Sequence, residues 1–181
     1  SYCWGDPGKT EHLKLSTSTL AQFSTPGELS EGDHAISSTI RDAIYITKEL
    51  GYQYLWVDAL CIIQDDEADK DSQLHLMDEI YKFAAITIVA AAGDNAWSGL
   101  PGARPESRVT LQLTETVRGV TLVTGSKSYV EEMGSATWSK RGWVLQEKLL
   151  SPHLLIFTSR QVFWECNVSI WCEEVALECF N

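Results

Sequence analysis

The sequence predicts an α/β domain in which a parallel sheet is flanked by helices. Apolar stretches at residues 2–4, 54–63 and 86–92 indicate three strands, and a helical stretch separates each from the next. The second and third stretches show little polar alternation, which is typical of parallel strands covered on both faces. Both helical stretches are long enough for a right-handed crossover, so parallel pairing is favoured.

The chain of 181 residues is expected to form a single domain, 1–181. Residues 2–4 suit the end of a strand, and Gly-Asp-Pro-Gly at 5–8 follows as a turn. We therefore expect a first strand that is truncated at its N-terminus, in a fragment of a larger protein. The polar residues 9–34 predict a loop, with one short strand as the alternative.

Two helices are predicted in the first half. Apolar residues at 36–50 recur with helical spacing, and Gly51 ends the pattern. The second helix follows the acidic residues 64–71, and Asp69 or Asp71 is expected to cap it. Calcium binding by these acids is disfavoured, because the glycine and the terminal glutamate of an EF-hand loop are missing. A solvated loop is favoured.

The second half predicts further elements. Residues 109–113 and 120–123 alternate and indicate an inserted β-hairpin. A helix is predicted from residue 138 to about Leu150, where Ser-Pro follows. Two extra C-terminal strands are predicted at 154–157 and 161–166, and residues 168–181 carry no clear pattern.

Charge and cysteine content limit the function. With a net charge of -11 and no basic cluster, the chain is not expected to bind nucleic acid or an anionic membrane surface. No apolar run is long enough for a membrane span. Five cysteines without a C-x-x-C pair indicate free thiols in a reducing compartment, and no metal site is predicted.

Residues 138–147 concentrate two tryptophans, two cations and a carboxylate. On a helix, Trp143 and Glu147 lie one turn apart on the same face. Such a pair can hold a flat cationic ring beside a carboxylate, but it also suits a core tryptophan with a surface acid. Asp58 interrupts an apolar run, so its carboxylate must have a hydrogen-bonding or charged partner or lie at the end of a strand. Either a structural or a functional role is consistent with this position.

Several of these stretches together resemble the fungal heterokaryon incompatibility (HET) domain. They are residues 1–5, 54–66, 77–81, 99–102, 141–147 and 155–166. The resemblance covers nearly the whole chain in the family's order and spacing. It implies a cytoplasmic effector domain that triggers cell death when incompatible strains fuse. Its partners would be copies of itself or other death-signalling proteins.

HET domains in turn resemble TIR domains, which implies a TIR-like, flavodoxin-type sheet. Many TIR domains cleave NAD with a glutamate in a W-x-x-x-E helix, so Glu147 is the implied catalytic residue and NAD the implied substrate, with no prosthetic group. Ligands of such sheets lie at the carboxyl ends of strands. The residues expected to hold NAD are Trp4, Gly5, Asp58, Asp65, Arg141 and Trp143. The chain departs from TIR domains in its inserted hairpin and in Val144, where many have cysteine.

One carboxylate suffices for this chemistry, because nicotinamide leaves as a neutral molecule and needs no general acid. The enzymatic hypothesis predicts that Glu147 is exposed in a cleft beside the first loop. The alternative is a non-enzymatic interaction module, with Glu147 paired to Arg141 or on a flat surface. A magnesium nuclease using Asp58, Asp65 and Asp66 is disfavoured by the negative charge. No histidine lies in a hydrolase motif.

Overall fold

The computed structural model describes residues 1–6, 8, 12–29, 35–108, 113–125 and 127–173, and shows a mixed α/β fold. The helices are α1 Leu20–Phe23, α2 Ser38–Glu49, α3 Asp58–Cys61, α4 Glu67–His75, α5 Met77–Phe83, α6 Tyr129–Ser135 and α7 Val144–Leu150, with a 3-10 turn at Trp138–Lys140. The strands are β1 Thr87–Ala90, β2 Thr114–Val117, β3 Val120–Val123, β4 His153–Phe157, β5 Val162–Cys166 and β6 Ile170–Cys172.

The main sheet has the order β1-β4-β5-β6 and is mixed. β1 and β4 are parallel, whereas β4–β5 and β5–β6 are antiparallel. The prediction of a parallel sheet is therefore wrong for its C-terminal half. Only a tight turn joins β4 to β5, closed by a hydrogen bond from the Thr158 N–H to the Gln161 carbonyl (3.1 Å), and so short a link permits only antiparallel pairing. The two predicted C-terminal strands are confirmed.

The first residues continue this sheet beyond β1, on the side away from β4. The backbone nitrogen of Ser1 donates to the Ile88 carbonyl at 2.8 Å, and the Ala90 N–H donates to the Ser1 carbonyl at 3.0 Å. This alternation is that of a parallel ladder in which Ser1 lies opposite Val89. The N-terminal segment thus supplies a short stretch of parallel pairing.

The predicted strand at 54–63 is wrong. Residues 54–57 pair with no strand in the described part of the chain, and α3 begins at Asp58. The Asp58 carboxylate accepts from the N–H of Ala59 at 2.8 Å, and the Val57 carbonyl accepts from two N–H groups of α3. These local bonds turn the backbone out of an extended path.

The acidic segment forms a helix cap and two helices. Asp66 caps α4 by accepting from the N–H groups of Ala68 and Asp69, so the predicted caps, Asp69 and Asp71, are wrong. The Asp69 carboxylate instead accepts from the N–H of Ile63 at 2.8 Å. The predicted helix at 36–50 is confirmed by α2, and the strand at 86–92 by β1.

The inserted hairpin is confirmed, and its two described strands are β2 and β3. β2 begins at Thr114, whereas the predicted strand at 109–113 falls largely on residues 109–112, outside the described residues. Arg118 and Gly119 form the turn with φ values of 52° and 81°, as a type I′ turn requires. Every residue of both strands is exposed.

The structure also differs from the prediction, or adds to it, in three other regions. The predicted helix from residue 138 divides into the 3-10 turn and α7, on either side of Gly142. The unassigned tail contains β6, and residues 174–181 lie outside the described residues. Between residues 9 and 34 the short helix α1 forms instead of a strand; residues 9–11 and 30–34 are outside the described residues.

Hydrophobic clusters cover the two faces of the sheet. One contains Val89, Ile156 and Phe163 with Trp138 and Val144, so it lies under the 3-10 turn and α7. The other packs against α2 and contains Tyr2, Ile36, Ile40, Ala43, Ala90, Leu100 and Phe157. Successive strand residues point to opposite faces, and α7 and α2 therefore lie on opposite sides of the sheet.

Candidate functional site

Glu147 lies on α7 and is only 6% exposed, so the exposure that the enzymatic hypothesis predicts is not found. The hydroxyl of Ser1 donates to its Oε2, and the indole N–H of Trp138 donates to the Ser1 Oγ at 2.6 Å. The buried carboxylate is therefore oriented by a chain of neutral donors that ends in the hydrophobic core. In the described part of the chain, Glu147 forms no ion pair.

Tyr81 of α5 supplies a second neutral group beside Glu147. Burial raises the pKa of Tyr81, and the nearby negative charges of Glu147 and Asp58 raise it further. Its phenol consequently stays protonated and remains a donor throughout the physiological pH range. From the sequence, Tyr81 had no expected role in the site, although a hydroxyl among buried apolar residues is a signal that could have indicated one.

Asp58 lies at the start of α3, where its two oxygens are held separately. The indole N–H of Trp4 donates to Oδ2 at 2.9 Å, and the Ala59 N–H donates to Oδ1 at 2.8 Å. Burial, followed by the charge of Asp58, raises the pKa of Tyr2. The Tyr2 hydroxyl is buried, and no described residue is placed with the geometry of a hydrogen bond to it.

Arg141 and Trp143 approach the site from the connection before α7. Arg141 is half-buried and donates to the Tyr2 carbonyl at 2.6 Å, rather than pairing with Glu147. Trp143 precedes α7, and its carbonyl accepts from the Glu147 N–H at 3.0 Å, so the two residues are one helical turn apart. Trp143 is 60% exposed, unlike the core residue Trp138.

Two cavities meet at this cluster. The smaller, of about 210 Å³, is lined by Trp4, Asp58, Ile62, Gln64, Lys70, Leu74, Met77, Tyr81, Arg141, Trp143, Gln146 and Glu147. The larger, of about 330 Å³, extends towards α2 and residues 54–57. Both are lined by Asp58, Tyr81, Arg141 and Glu147, which form a shared polar wall.

The structure brings most of the predicted site residues together, since Trp4, Asp58, Arg141, Trp143 and Glu147 all line the smaller cavity. Gly5 follows Trp4 in the left-handed region, with φ 96°, but does not line it. Asp65 is exposed and lies elsewhere. Its carboxylate accepts from the N–H and the hydroxyl of Thr17, both at 2.8 Å, and these bonds lower the pKa of Asp65.

The two cavity tryptophans are not equivalent. The ammonium of Lys14 lies 4.7 Å from the centre of the Trp4 ring, and His12 packs edge-on against the same ring. Trp4 is therefore already in contact with other side chains, while it orients Asp58 through its N–H. The more exposed Trp143 offers the freer surface to a flat ligand.

Residues 1–147 match the model of the family described as heterokaryon incompatibility protein (HET). The chain belongs to this family. The matched region contains every predicted site residue, and it ends at Glu147. No solved structure matches the chain.

A curated relative is heterokaryon incompatibility protein 6, OR allele, of Neurospora crassa. It is 26% identical over 171 residues, which cover 87% of this chain and 21% of the relative. The chain thus spans about a fifth of the length of the relative it matches.

Metal-binding clusters and membrane-crossing helices are both absent from the described residues. The described residues contain no group of three or more His, Cys, Asp or Glu side chains that could hold a metal ion. Among the described helices, none combines the length and the apolar character needed to cross a membrane.

Proposed function

We propose that this chain is the effector domain of a fungal heterokaryon incompatibility protein and triggers cell death in the cytoplasm. Membership of the HET family and the name of the Neurospora crassa relative support this role. The proposal includes a TIR-like relationship, which the parallel pairing of the N-terminal segment, β1 and β4 favours.

The proposed activity is hydrolysis of NAD in the smaller cavity, with Glu147 as the catalytic residue. One observation carries it: a buried carboxylate with only neutral hydrogen-bonding partners faces a cavity that also has an exposed tryptophan. An unpaired negative charge in a low-dielectric site strongly favours a cationic ligand group. The nicotinamide ring of NAD is flat and cationic, so it suits Trp143 and Glu147 together.

The reaction needs few protein groups. The bond between the ribose C1′ and the nicotinamide nitrogen breaks, and its electron pair neutralises the pyridinium. Glu147 stabilises the positive charge that develops on the ribose and orients a water molecule. The water oxygen bonds to C1′ and its proton passes to solvent, which yields ADP-ribose and nicotinamide.

Arg141 is the guanidinium of the shared wall and is proposed to pair with the pyrophosphate. To do so, it would exchange its bond to the Tyr2 carbonyl for the ligand. Lys140, the neighbouring cation, is exposed and lines neither cavity. Lys70 lines the smaller cavity and is the nearest alternative.

A non-enzymatic module that kills by self-association is the second candidate. It is favoured by the exposed hairpin, in which Val117, Val120, Leu122 and Val123 are all about half exposed or more. Apolar side chains on a two-stranded ribbon suit pairing with another copy. Self-association and NAD hydrolysis are compatible, and clustering is proposed to activate the site.

The test is nicotinamide release by the purified chain, at high concentration or clustered on a scaffold, in three forms: parent, Glu147→Gln and Glu131→Gln. Glu131 is the matched control, because it is exposed and belongs to the capping box of α6, where glutamine can replace it. Nicotinamide release by the parent and by Glu131→Gln, but not by Glu147→Gln, supports the proposal. Equal release by all three forms refutes the role of Glu147. No release from a chain that still kills cells supports the second candidate.

A further inference from the structure

A separate cavity, of about 510 Å³, lies beside α2 and includes no residue of the shared polar wall. It opens between the first turns of α2 and several residues of the segment 97–107. Its charged lining residues are Arg41, Arg104 and Asp42, so its net charge is positive. In a chain with a net charge of -11, composition alone would not produce such a lining. We call this space the Arg41 cavity.

The carboxylate of Asp42 already has a partner on each oxygen. The Nε of Arg104 donates to Oδ1 at 2.8 Å, and the Leu100 N–H donates to Oδ2 at 2.9 Å. Arg104 also donates to the Arg41 carbonyl at 3.1 Å, and its guanidinium lies 4.4 Å from the centre of the Tyr45 ring. Arg104 and Asp42 therefore neutralise each other and form a fixed side of the cavity.

The opposite side is a loop that is bonded to the first turn of α2. The Gly99 N–H donates to the Thr39 hydroxyl at 3.1 Å, and the Thr39 N–H donates to the Ala96 carbonyl at 3.1 Å. A Cβ at position 99 would lie 3.0 Å from Oδ2 of Asp42, and the φ of 72° also favours glycine there. The cavity is thus preformed, which lowers the entropic cost of binding a ligand.

Arg41 is the charged lining residue that has no carboxylate partner among the described residues. It is half-buried, and its guanidinium donates to the Ser38 hydroxyl at 3.3 Å. The two residues are three positions apart on α2 and share one face of the helix. Because the Ser38 oxygen accepts from Arg41, its own proton remains available to a ligand.

The start of α2 adds positive potential at the same place. Ser37, the N-cap, is buried and makes no side-chain hydrogen bond to the first turn. The Ser38 N–H has no acceptor within the helix, and the helix dipole favours a negative charge here. A guanidinium, a hydroxyl and a helix N-terminus together suit a group with several charged oxygens, as in phosphate.

We propose that the Arg41 cavity binds the phosphate group of a small molecule, with the Arg41 guanidinium and the Ser38 hydroxyl as donors. The cavity has room for more than this group, and Trp97, which is 38% exposed, also lines it. An aromatic ring attached to the phosphate would pack against this tryptophan. Inorganic phosphate and a nucleotide share the recognised group, and the test separates them. The proposal does not depend on NAD hydrolysis.

The test is calorimetric titration with adenosine monophosphate, inorganic phosphate and adenosine at constant ionic strength. The forms of the chain are the parent, Arg41→Gln, Lys48→Gln and Arg141→Gln. Arg41→Gln should weaken binding of the monophosphate at least about tenfold, because a charge-assisted hydrogen bond is lost. Lys48→Gln is the matched control, since it removes the same charge from the last turn of α2, outside the cavity. Because solvent screens that charge, its affinity should change by less than about twofold.

Phosphate binding by the parent that weakens in Arg41→Gln, but not in the control, supports the proposal. Tighter binding of the monophosphate than of inorganic phosphate then identifies a nucleotide as the ligand, and equal binding identifies the inorganic ion. Adenosine that binds as tightly as its monophosphate overturns the proposal, as does a parent that binds neither phosphate compound. Equal weakening by Lys48→Gln also overturns it, because the attraction would be non-specific. Binding that is lost in Arg141→Gln but kept in Arg41→Gln overturns it too, since the phosphate would then lie at the shared polar wall.

Discussion

Two adjacent residues of α7, Glu147 and Lys148, belong to polar clusters with opposite electrostatics. Lys148 donates to the Tyr129 hydroxyl at 2.8 Å and pairs with Glu165 at 3.2 Å, while Tyr129 also donates to Glu165. Burial lowers the pKa of Lys148, but Tyr129 and Glu165 outweigh burial and raise the pKa overall. Around Glu147 the donors are neutral.

The difference separates a structural cluster from a candidate binding site. Glu165 has a cation beside it, and its cluster connects α6, α7 and β5. Glu147 is more deeply buried and forms no ion pair with a described cation, although burying an unpaired charge is unfavourable; the N-terminal ammonium of Ser1 attracts it at longer range. A ligand cation would supply the missing charge. Cluster partners, more than burial, distinguish the two carboxylates.

Exchanging each carboxylate for an amide should give the largest contrast. We expect Glu147→Gln to lower kcat for NAD by about a hundred- to a thousandfold, because it removes the charge that stabilises the cationic ribose. Glu165→Gln should leave kcat unchanged and lower the free energy of unfolding by about 1–2 kcal/mol, since Lys148 loses its partner. Nicotinamide release and urea unfolding measure the two effects. Similar activity losses in both variants would contradict the comparison.

The tryptophans provide a second contrast. We expect Trp138→Phe to lower the free energy of unfolding by about 2–3 kcal/mol, because a buried ring shrinks and Ser1 loses a donor. Trp143→Phe should change it by less than about 0.5 kcal/mol, as expected at an exposed position, and raise KM for NAD. Thermal unfolding and steady-state kinetics test this pair. A large stability loss in Trp143→Phe would show that this ring is structural.

Tyr81 and Tyr129 test the neutral donors. Tyr81→Phe should lower kcat by about fivefold to tenfold with little change in KM, the size expected when one polar group is removed from the wall that holds Glu147. Tyr129→Phe, in the other cluster, should leave kcat unchanged. A fall in kcat without a change in KM would show that Tyr81 acts on the reaction rather than on the binding of NAD. An effect of Tyr81→Phe on stability alone would remove this residue from the site.

The smallest effect concerns the pH dependence of stability. The pKa of Lys148 is raised above its ordinary value of 10.5, so its contribution is fully present below that pH and is lost as the pH rises through the raised value. Since Lys148 is partly exposed, we expect this contribution to be about 1 kcal/mol. Urea unfolding of the parent and Lys148→Met at several pH values should show curves that converge in alkali. A difference in the free energy of unfolding that stays constant with pH would argue against the ion pair of Lys148 with Glu165.

Local patterns in the sequence were sufficient for much of the fold. Helix α2, strands β1, β4 and β5, and the hairpin follow from periodicity, since each has a partner in the described chain. Residues 54–63 have an equally strong strand pattern, but no strand of the described chain pairs with them. The break at Gly142, between the 3-10 turn and α7, was not visible from spacing.

The site was predictable where it depends on short-range spacing. Trp143 and Glu147 are four residues apart, so one helical turn brings them together. Ser1 was missed as the donor to Glu147, Trp138 as the donor to Ser1, and Tyr81 as a neighbour in the shared wall, because only the tertiary fold brings these residues together. Asp65 was included for its place after an expected strand, and without that strand it faces Thr17 instead.

The hydrogen bond between Ser1 and Glu147 joins residues 146 positions apart in the sequence. Contacts between such distant residues carry a large loop-closure cost and form only after nearer contacts have reduced it. The catalytic geometry proposed for Glu147 should thus be completed late in folding. A bound ligand that touches both Trp4 and Trp143 would hold the N-terminal segment against the residues before α7. Without the ligand, these two segments should be the first to separate on unfolding.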